Sequence, residues 1–456
     1  MRTVFRYLAW LTAGVLAAIV GVVAWLLSNP PELLRIGTGY AAKIVCSNVF
    51  VAGRDAGSVL AVDVQAPGNP LLRLVSVDVD RRDRHVEARF LGYIAPSIAI
   101  HREGLGCTNV ADMDIEKARA VRLQDPPPPA APRSGPWPSG DEVGETDPRL
   151  APILADADLT GPGVRAVVVV KDGRIVGETY GAGFGPDTPL IGWSMTKTVN
   201  AMILGRLLAE GRLSLDESGL FEDWRGDDRA AITIRSLLAM ESGLEFNEDY
   251  GDVTDVTRML FLSPDMAAFA ADKRQLEPPG RVFNYSTGTS VLLSRVWMDH
   301  FDDDAAALAY PRSALFGPLG MTSAVLEADE SGTLSGSSYM YAAARDWARL
   351  AFFLLRDGVW NGERLLPDGF VAAMRRPTRV SEGAYTEMQA WHVGPGGEAN
   401  GIFGLPDDMF WLQGHDGQTT AIFPDKGLAI VRLGLTPAHL DYRPQRLAKA
   451  VLDALK

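Results

Sequence analysis

The longest uninterrupted apolar run of the chain lies near its N-terminus and predicts a helix. Residues 7–27 contain no charged side chain, and roughly 20 apolar residues are enough to cross a bilayer as a helix. Arg2 and Arg6 precede the run, and arginines favour the cytoplasmic side of a membrane. We therefore expect an uncleaved membrane anchor, with the rest of the chain on the extracytoplasmic side. A cleaved signal peptide is the alternative, although no small-x-small cleavage site precedes Ser28.

Four further runs have the β-branched or alternating composition of strands. They are residues 164–170, 174–179, 408–412 and 421–433. The first two flank Lys171-Asp172-Gly173, whose Asp-Gly pair is typical of a hairpin turn. We therefore predict an antiparallel sheet that is built from the 164–180 hairpin and the strands of residues 408–434.

A helical pattern follows the first hairpin. Residues 198–211 carry an apolar helical face that ends at a glycine. A largely helical region, about 200–375, is expected to close over a cleft beside the sheet. The predicted fold class is therefore α/β (α+β): an antiparallel sheet flanked by helices, a helical region over the cleft, and an N-terminal transmembrane helix.

A proline-rich stretch at residues 124–138 predicts a stiff, extended linker. Before it, strand-like alternation marks residues 57–64, 71–79 and 85–90. The predicted organisation has four parts: a cytoplasmic stub with the transmembrane anchor (1–30), a small extracytoplasmic segment (31–121), the linker (122–146) and the main domain (147–456).

Composition narrows the class of partner. The chain has 456 residues, of which 47% are hydrophobic, so it can bury a substantial core. Its net charge of −13 and the lack of a basic stripe argue against nucleic acid as a partner. We expect the protein to contact a membrane through its N-terminal helix.

The two cysteines, Cys46 and Cys107, both follow the predicted anchor. An even number of cysteines in an exported chain predicts one disulfide, and two unpaired buried thiols are the alternative. The sequence has no Cys/His cluster with metal-ligand spacing, so neither a metal nor another cofactor is predicted.

The tetrapeptide Ser194-Met195-Thr196-Lys197 carries the strongest chemical signal. If Ser194 and Lys197 lie in the first turn of a helix, their side chains project from one face. A buried lysine with a lowered pKa can take the serine proton, and the helix N-terminus favours a developing oxyanion. An exposed capping serine beside a solvated lysine is the alternative, but the predicted hairpin-to-helix setting favours a nucleophilic serine.

Two later motifs can complete such a site. Tyr285 opens a Tyr-Ser-Thr triplet, and a tyrosine beside a buried lysine can act as general base and then general acid once its pKa is lowered. Residues 413–420 connect two predicted strands, and a backbone N–H after the glycine there can complete an oxyanion hole with the N–H of Ser194. A half-buried aromatic residue and a plain hairpin turn are the respective alternatives.

With these motifs in this order, the chain from about Asp147 onward resembles the serine β-lactamase and penicillin-binding-protein superfamily. It is most similar to the class C-like branch, which includes carboxylesterases, D-aminopeptidases and nylon-oligomer hydrolases. Further matching stretches are residues 207–216, 232–244, 344–350 and 358–367. The resemblance covers about two-thirds of the chain.

The resemblance implies a serine hydrolase that cleaves a small-molecule ester or amide through an acyl-enzyme, without a cofactor. It makes Ser194 the acylated nucleophile, Lys197 its partner and Tyr285 the base. The backbone N–H groups of Ser194 and Gln418 would form the oxyanion hole.

The implied substrate-binding positions, Thr287 and His415-Asp416-Gly417, depart from the superfamily pattern. Many members have asparagine where Thr287 stands, and a hydroxyl cannot offer the same amide donor. Many have Lys-Thr-Gly in place of His415-Asp416-Gly417, so a fixed positive charge is replaced by an imidazole. Both departures argue against anionic penicillins and D-Ala-D-Ala peptides, and favour neutral or amphiphilic substrates.

Residues 247–252 and Asp255 form an acidic cluster. A solvated loop is one interpretation, and the resemblance to nylon-oligomer hydrolases makes contact with a substrate amine the other. Two alternative functions also stay open. One is a catalytically weak penicillin-binding or sensor protein, or a β-lactamase or D-peptidase acting on cell-wall-like substrates; the other is an interaction module in which residues 40–120 carry the function.

Overall fold

The computed structural model describes residues 2–66, 68–128 and 131–456. Met1 of the predicted anchor segment, and Pro129 and Ala130 of the predicted linker, lie outside these ranges. The described helices are α1 (Arg2–Ser28), α2 (Glu32–Phe50), α3 (Ala56–Val59), α4 (Ile115–Ala120), α5 (Ala151–Ala155), α6 (Ala157–Thr160), α7 (Met195–Ala209), α8 (Ile234–Leu238), α9 (Asp255–Leu262), α10 (Met266–Ala271), α11 (Thr287–Met298), α12 (Asp304–Pro311), α13 (Ala344–Leu355), α14 (Phe370–Arg375) and α15 (Pro444–Ala454).

The strands belong to two larger sheets and to shorter pairings. They are β1 (Val75–Asp80), β2 (His85–Phe90), β3 (Ile94–Arg102), β4 (Gly106–Asn109), β5 (Val164–Lys171), β6 (Arg174–Tyr180), β7 (Pro189–Ile191), β8 (Val325–Leu326), β9 (Met340–Ala343), β10 (Val359–Trp360), β11 (Glu363–Arg364), β12 (Phe410–Gly414), β13 (Gln418–Phe423) and β14 (Leu428–Gly434). The main sheet has the order β12-β13-β14-β5-β6, and all of its neighbouring strands run antiparallel.

The main sheet is buried on both faces, which explains the unbroken valine run of β5. Val168 and Val170 face the core that contains α7 and α13, whereas Val167 and Val169 pack with Leu447 of α15 on the opposite face. A strand that is covered on both sides needs apolar residues at every position, not only at alternate ones. The predicted antiparallel sheet and its flanking helices are confirmed.

One predicted strand near the C-terminus divides into two. Residues 421–433 contain the end of β13, a turn and most of β14. The turn passes through Gly427, whose φ of 55° lies in the left-handed region that glycine adopts without a steric penalty. Pro424, at the start of the turn, cannot donate a hydrogen bond to a neighbouring strand, so it also interrupts the ladder.

The segment before the linker forms a four-stranded antiparallel sheet in the order β1-β2-β3-β4, with α2 packed against it. The predicted strand at residues 57–64 is wrong, because that stretch is α3 followed by a π-helical turn, Leu60–Gln65. The Asp55 carboxylate caps this helical stretch by accepting a hydrogen bond from the backbone N–H of Ser58 at 2.8 Å. Strand β1 starts at Val75, later than predicted, since Pro70 begins a 3₁₀ turn.

The predicted disulfide is present. Cys46 of α2 is bonded to Cys107 of β4, and both residues are fully buried. The bond therefore joins the helix of this segment to the edge of its sheet. The division of the chain into four parts remains a prediction.

Buried ion pairs hold the 31–121 segment against the main domain. The Glu327 carboxylate pairs with Lys43 of α2, and it accepts further hydrogen bonds from the Ser47 hydroxyl at 2.8 Å and the Cys107 N–H at 2.7 Å. Both charged side chains are almost completely withdrawn from water. Burial lowers the pKa of Lys43, while the neighbouring Glu327 opposes that shift.

A second buried ionic contact lies at the same interface. Asp63 accepts from Arg54, within its own segment, at 2.8 Å and from Arg165 of β5 at 2.5 Å. Arg102 of β3 donates to the backbone carbonyl of Asp329 at 2.9 Å. The segment is therefore integrated into the molecule and does not hang from it by the linker alone.

Helix α1 differs from the rest because it makes almost no internal contacts. Its stretch Val4–Ser28, of 25 residues, is long and apolar enough to cross a membrane, and its most apolar part is not buried against the protein. A membrane anchor and a signal sequence both have this length, composition and position.

We predict that Glu327→Gln destabilises the fold by about 3–5 kcal/mol, because it leaves the Lys43 ammonium buried without its counter-charge. The free energy of unfolding can be measured on the full chain in detergent by denaturant titration with tryptophan fluorescence. The double variant Lys43→Met/Glu327→Gln should recover most of the loss, since it removes both charges. An unchanged unfolding midpoint in Glu327→Gln would contradict the importance of this pair.

Candidate active site

Ser194 lies at a tight strand-to-helix turn between β7 and α7. The preceding Trp193 has a φ of 46°, a left-handed conformation that is strained for a tryptophan. Gly192 permits the turn, because a Cβ at that position would lie 2.3 Å from the Trp347 ring. The Ser194 hydroxyl makes no capping hydrogen bond to the helix. The geometry therefore rules out the plain capping serine and leaves the hydroxyl available.

Lys197 meets Ser194 as the S-x-x-K spacing predicts. Its Nζ donates to the Ser194 Oγ at 3.0 Å, to the Thr287 Oγ1 at 3.2 Å and to the Ser337 carbonyl at 3.1 Å. Only 1% of the lysine surface is exposed. Burial lowers the pKa of Lys197 to about 8, although the nearby Glu248 carboxylate acts in the opposite direction. A substantial fraction of the amine is therefore neutral in mildly alkaline solution and able to accept a proton.

Tyr285 is also at the site, with its ring centroid 4.9 Å from the Lys197 Nζ. Its pKa is shifted in the direction opposite to the lowering that the base role requires, and that role stays a prediction. Burial, and then the negative charge of Glu248, raise the pKa of Tyr285 well above the ordinary value, and contact with the Ser194 hydroxyl offsets only part of this rise. The resting tyrosine is therefore a neutral phenol that can donate or relay a proton, and Lys197 is the more basic candidate.

Glu248, which lies in the acidic cluster, is a site residue that the sequence did not single out. Its carboxylate accepts from the Thr287 N–H at 2.7 Å and from the Thr287 hydroxyl. The Tyr250 hydroxyl lies 3.3 Å from the same Thr287 Oγ1. Burial raises the pKa of Glu248, and the Lys197 charge lowers it. Thr287 thus connects the lysine to a carboxylate.

The acids of this cluster therefore differ in the residues that they contact. Asp255 points away from the site, accepting from the Asn247 N–H at 2.9 Å and from Lys273 at 2.6 Å. Glu248 instead bonds to Thr287, which contacts the Lys197 amine. No local pattern distinguishes these two acids, because the difference depends on the fold of the loop.

Thr287, predicted to bind substrate, is completely buried. Its hydroxyl is engaged by Lys197, Glu248 and Tyr250. The hydroxyl is therefore occupied within the protein, and the substrate-binding role of Thr287 stays a prediction.

The His415-Asp416-Gly417 turn lies on the other side of the site. The His415 ring stacks on Tyr250 at a centroid distance of 5.1 Å and lies 5.7 Å from the Trp193 ring. Its side chain is 44% exposed, and its Nε2 is 3.4 Å from the Asp416 carboxylate. The Gly417 carbonyl points inward and accepts from Arg432 at 2.9 Å. The turn thus presents an exposed imidazole beside a carboxylate.

The strand that leads into this turn is pressed against the serine loop. A Cβ on Gly414, the last residue of β12, would lie 2.2 Å from the Gly192 carbonyl oxygen. Gln418 pairs with Gly414 across the hairpin, and its side-chain amide donates to the carbonyls of His415 at 3.1 Å and Gly434 at 2.5 Å. The side chain of Gln418 therefore stabilises the turn, and the oxyanion role of its backbone N–H stays a prediction.

Comparison with known proteins places this architecture in a family. The Beta-lactamase family model matches residues 155–450. Because the match covers more than half of the chain, the chain belongs to the beta-lactamase family, and it is a serine hydrolase.

Individual relatives are distant. The 6-aminohexanoate-dimer hydrolase of Paenarthrobacter ureafaciens is 23% identical over 323 residues, which cover 64% of this chain and 78% of the relative. A putative 6-aminohexanoate-dimer hydrolase from Bacillus anthracis superimposes with a TM-score of 0.53 at 21% identity, covering 64% of this chain and 79% of the other. EstCE1, described as a hydrolase with promiscuous acyltransferase activity, gives 0.52 at 16% identity, with 67% and 97% covered. The two structural likenesses show the fold.

We predict that kcat/KM for ester hydrolysis falls as the pH is lowered through about 8, because protonation of Lys197 removes its ability to accept the serine proton. In Glu248→Gln the inflection should move to lower pH, since the carboxylate that favours the charged amine is gone. The measurement is a pH profile of kcat/KM with a short-chain p-nitrophenyl ester.

Asp255→Asn is the matched control, because it removes an acid of the same loop that is paired with Lys273. Its inflection should stay at the wild-type pH. An inflection that is unchanged, or moves to higher pH, in Glu248→Gln would refute the coupling between Glu248 and Lys197.

Proposed function

We propose that this protein hydrolyses neutral or amphiphilic esters or amides through an acyl-enzyme on Ser194. The observation that carries the proposal is the contact of 3.0 Å between the Ser194 Oγ and the Nζ of a buried lysine whose pKa is lowered to about 8. A hydroxyl becomes a useful nucleophile only when a base within hydrogen-bond reach takes its proton.

In the proposed reaction, neutral Lys197 accepts the Ser194 proton as Oγ forms a bond to the substrate carbonyl carbon. The N–H groups of Ser194 and Gln418 stabilise the oxyanion. As the bond to the leaving alcohol or amine breaks, the neutral Tyr285 hydroxyl passes a proton to the departing atom and regains one from Lys197. Water then attacks the acyl carbon, and its proton passes through Tyr285 and Lys197 to the Ser194 Oγ as the bond between Oγ and the acyl carbon breaks. The acid is released and the resting enzyme returns.

The charges around the opening support an uncharged substrate. His415 stands where many relatives have lysine, and the Asp416 carboxylate is 3.4 Å from its ring. Thr287 cannot reach a bound ligand with its hydroxyl, because that hydroxyl is already bonded to Lys197 and Glu248. An anionic β-lactam therefore loses two of the contacts that its recognition uses.

We also propose that α1 is retained as a membrane anchor, with the main domain on the extracytoplasmic side. The apolar helix, the arginines that precede it and the Cys46–Cys107 disulfide support this placement. The four-part organisation at residues 1–30, 31–121, 122–146 and 147–456 belongs to the same proposal.

We predict that Ser194→Ala lowers the turnover of p-nitrophenyl butyrate by at least roughly a thousandfold without unfolding the protein. Wild-type protein should also cleave nitrocefin at least about a hundredfold less efficiently than the ester, because the missing charge-assisted contact is worth about 1.5–3 kcal/mol and the missing amide hydrogen bond about 1 kcal/mol. Steady-state kinetics on both substrates measure the two effects.

Ser214→Ala, in an exposed loop, is the control and should keep the wild-type rate. A folded Ser194→Ala protein with wild-type turnover would disprove the nucleophile. A single burst of nitrophenol without further turnover would instead favour a sensor-type protein, and efficient nitrocefin cleavage would restore a β-lactamase.

We predict that the full-length protein stays in the membrane fraction after a high-salt wash and is released by detergent, as expected for a spanning helix. N-terminal sequencing of the membrane-bound form should begin at or near Met1. A sequence that starts after residue 24 would show a cleaved signal peptide.

A further inference from the structure

An apolar cavity of about 200 Å³ lies at the interface between the 31–121 segment and the main domain. Its wall on one side comes from α2, the 3₁₀ turn before β1 and the sheet of the N-terminal segment. Its wall on the other side comes from α9 and the turns of the active site. The central lining residues are apolar: Leu34, Ile36, Leu72, Val75, Phe90 and Phe261.

One end of the cavity borders the candidate active site through aromatic side chains, while Ser194, Lys197 and Tyr285 are not among its lining residues. Trp193, Tyr250 and His415 line this end and pack against one another, with ring-centroid distances of 5.7 Å for Trp193–His415 and 5.1 Å for Tyr250–His415. Trp193 directly precedes Ser194. The Tyr250 hydroxyl is 3.3 Å from Thr287, which in turn contacts Lys197. A group in the cavity is therefore one aromatic layer away from the reacting hydroxyl.

The outer end opens through an apolar rim. Leu33 and Leu71 line the cavity and are 37% and 40% exposed. Leu91 is 53% exposed, and its N–H donates to the carbonyl of Leu74, which is 45% exposed. Leu33 follows the end of α1 closely in the sequence. The rim therefore begins within a few residues of the end of the N-terminal helix.

The polar groups of the cavity do not suit an anion. Asp252 and Asp416 are among its lining residues, and no lysine or arginine of the described ranges lines it. The Tyr40 hydroxyl is satisfied by the Asp63 carbonyl at 3.1 Å. A ligand here gains by burying apolar surface and not by pairing a charge.

We propose that this cavity binds the long alkyl chain of an amphiphilic ester or amide whose carbonyl group is attacked by Ser194. The proposal rests on the hydrolytic function proposed above and adds the class of substrate to it. The N-terminal segment is thus part of the substrate site, because it supplies most of the cavity wall.

The test compares kcat/KM across two series of substrates with the full-length protein. In one series the acyl chain of a p-nitrophenyl ester grows from acetate to decanoate, and in the other the alcohol of an acetate ester grows over the same lengths. We expect kcat/KM to rise in one series by up to about fourfold for each buried methylene until the cavity is filled. No dependence on chain length in either series would overturn the proposal.

Matched variants locate the effect. A Cβ on Gly37 of α2 would lie 3.3 Å from the Leu72 side chain, so Leu72→Trp fills the cavity against the helix. Leu34→Trp fills it from α2 itself. Both should abolish the gain from chain length. Leu74→Trp, two residues from Leu72 but outside the cavity, should keep the gain, and a gain retained in both filled variants would place the chain elsewhere.

A readout without catalysis separates this proposal from the hydrolytic function. Dodecanol that carries a terminal diazirine is cross-linked to Ser194→Ala protein, and the labelled peptides are mapped by mass spectrometry. Labelling within residues 33–40 and 68–75 that Leu72→Trp suppresses supports the cavity even if no ester is cleaved. Labelling confined to α1 would overturn the proposal although hydrolysis at Ser194 stands.

The source of the chain is decided by two arms of the same kinetic experiment. The preferred ester is offered as a soluble monomer to protein in detergent, or dissolved in phosphatidylcholine vesicles that contain the anchored protein. Faster cleavage in vesicles would assign the chain to a membrane amphiphile, and faster cleavage of the monomer to a soluble ester. The chain-length dependence supports the cavity in both cases.

Discussion

The structure of the site depends on one constraint, the withdrawal of the Lys197 amine from water. A buried ammonium is unfavourable unless oxygens surround it, and here Ser194, Thr287 and the Ser337 carbonyl do so at 3.0–3.2 Å. These residues come from the turn before α7, from α11 and from the loop before β9, so the environment of the amine depends on three separate segments. The same burial that brings the pKa of Lys197 towards neutrality thus links catalysis to the packing of the domain.

The negative charge of Glu248 opposes the effect of burial on the pKa of Lys197. Without it, desolvation acts on the amine unopposed, and the pKa of Lys197 falls further. Its charge also raises the pKa of Tyr285, so one group favours a protonated lysine and disfavours an ionised tyrosine. The resting state that results is a basic amine beside a neutral phenol. In the mechanism that we propose, Lys197 is accordingly the base and Tyr285 the relay.

A second buried pair, Lys43 with Glu327, relates the N-terminal segment to the same site. It anchors α2 against the main domain, and α2 in turn forms a wall of the apolar cavity that ends at Trp193 and His415. The disulfide joins α2 to its own sheet, which limits how far that wall can move. The N-terminal segment and the His415 turn therefore line the same apolar cavity.

Local chemistry in the sequence determined the apolar helix, the valine-rich hairpin, the cysteine pair and the meeting of Ser194 with Lys197. Each of these features depends on the pattern of neighbouring residues or, for the disulfide, on the number of cysteines. Tertiary structure alone decided the role of Glu248, the direction of the Tyr285 pKa, the helical form of residues 57–64 and the cavity beneath α2. These features depend on desolvation and on contacts between distant segments. In the sequence, a carboxylate that lies near a buried amine cannot be distinguished from one that is exposed to water.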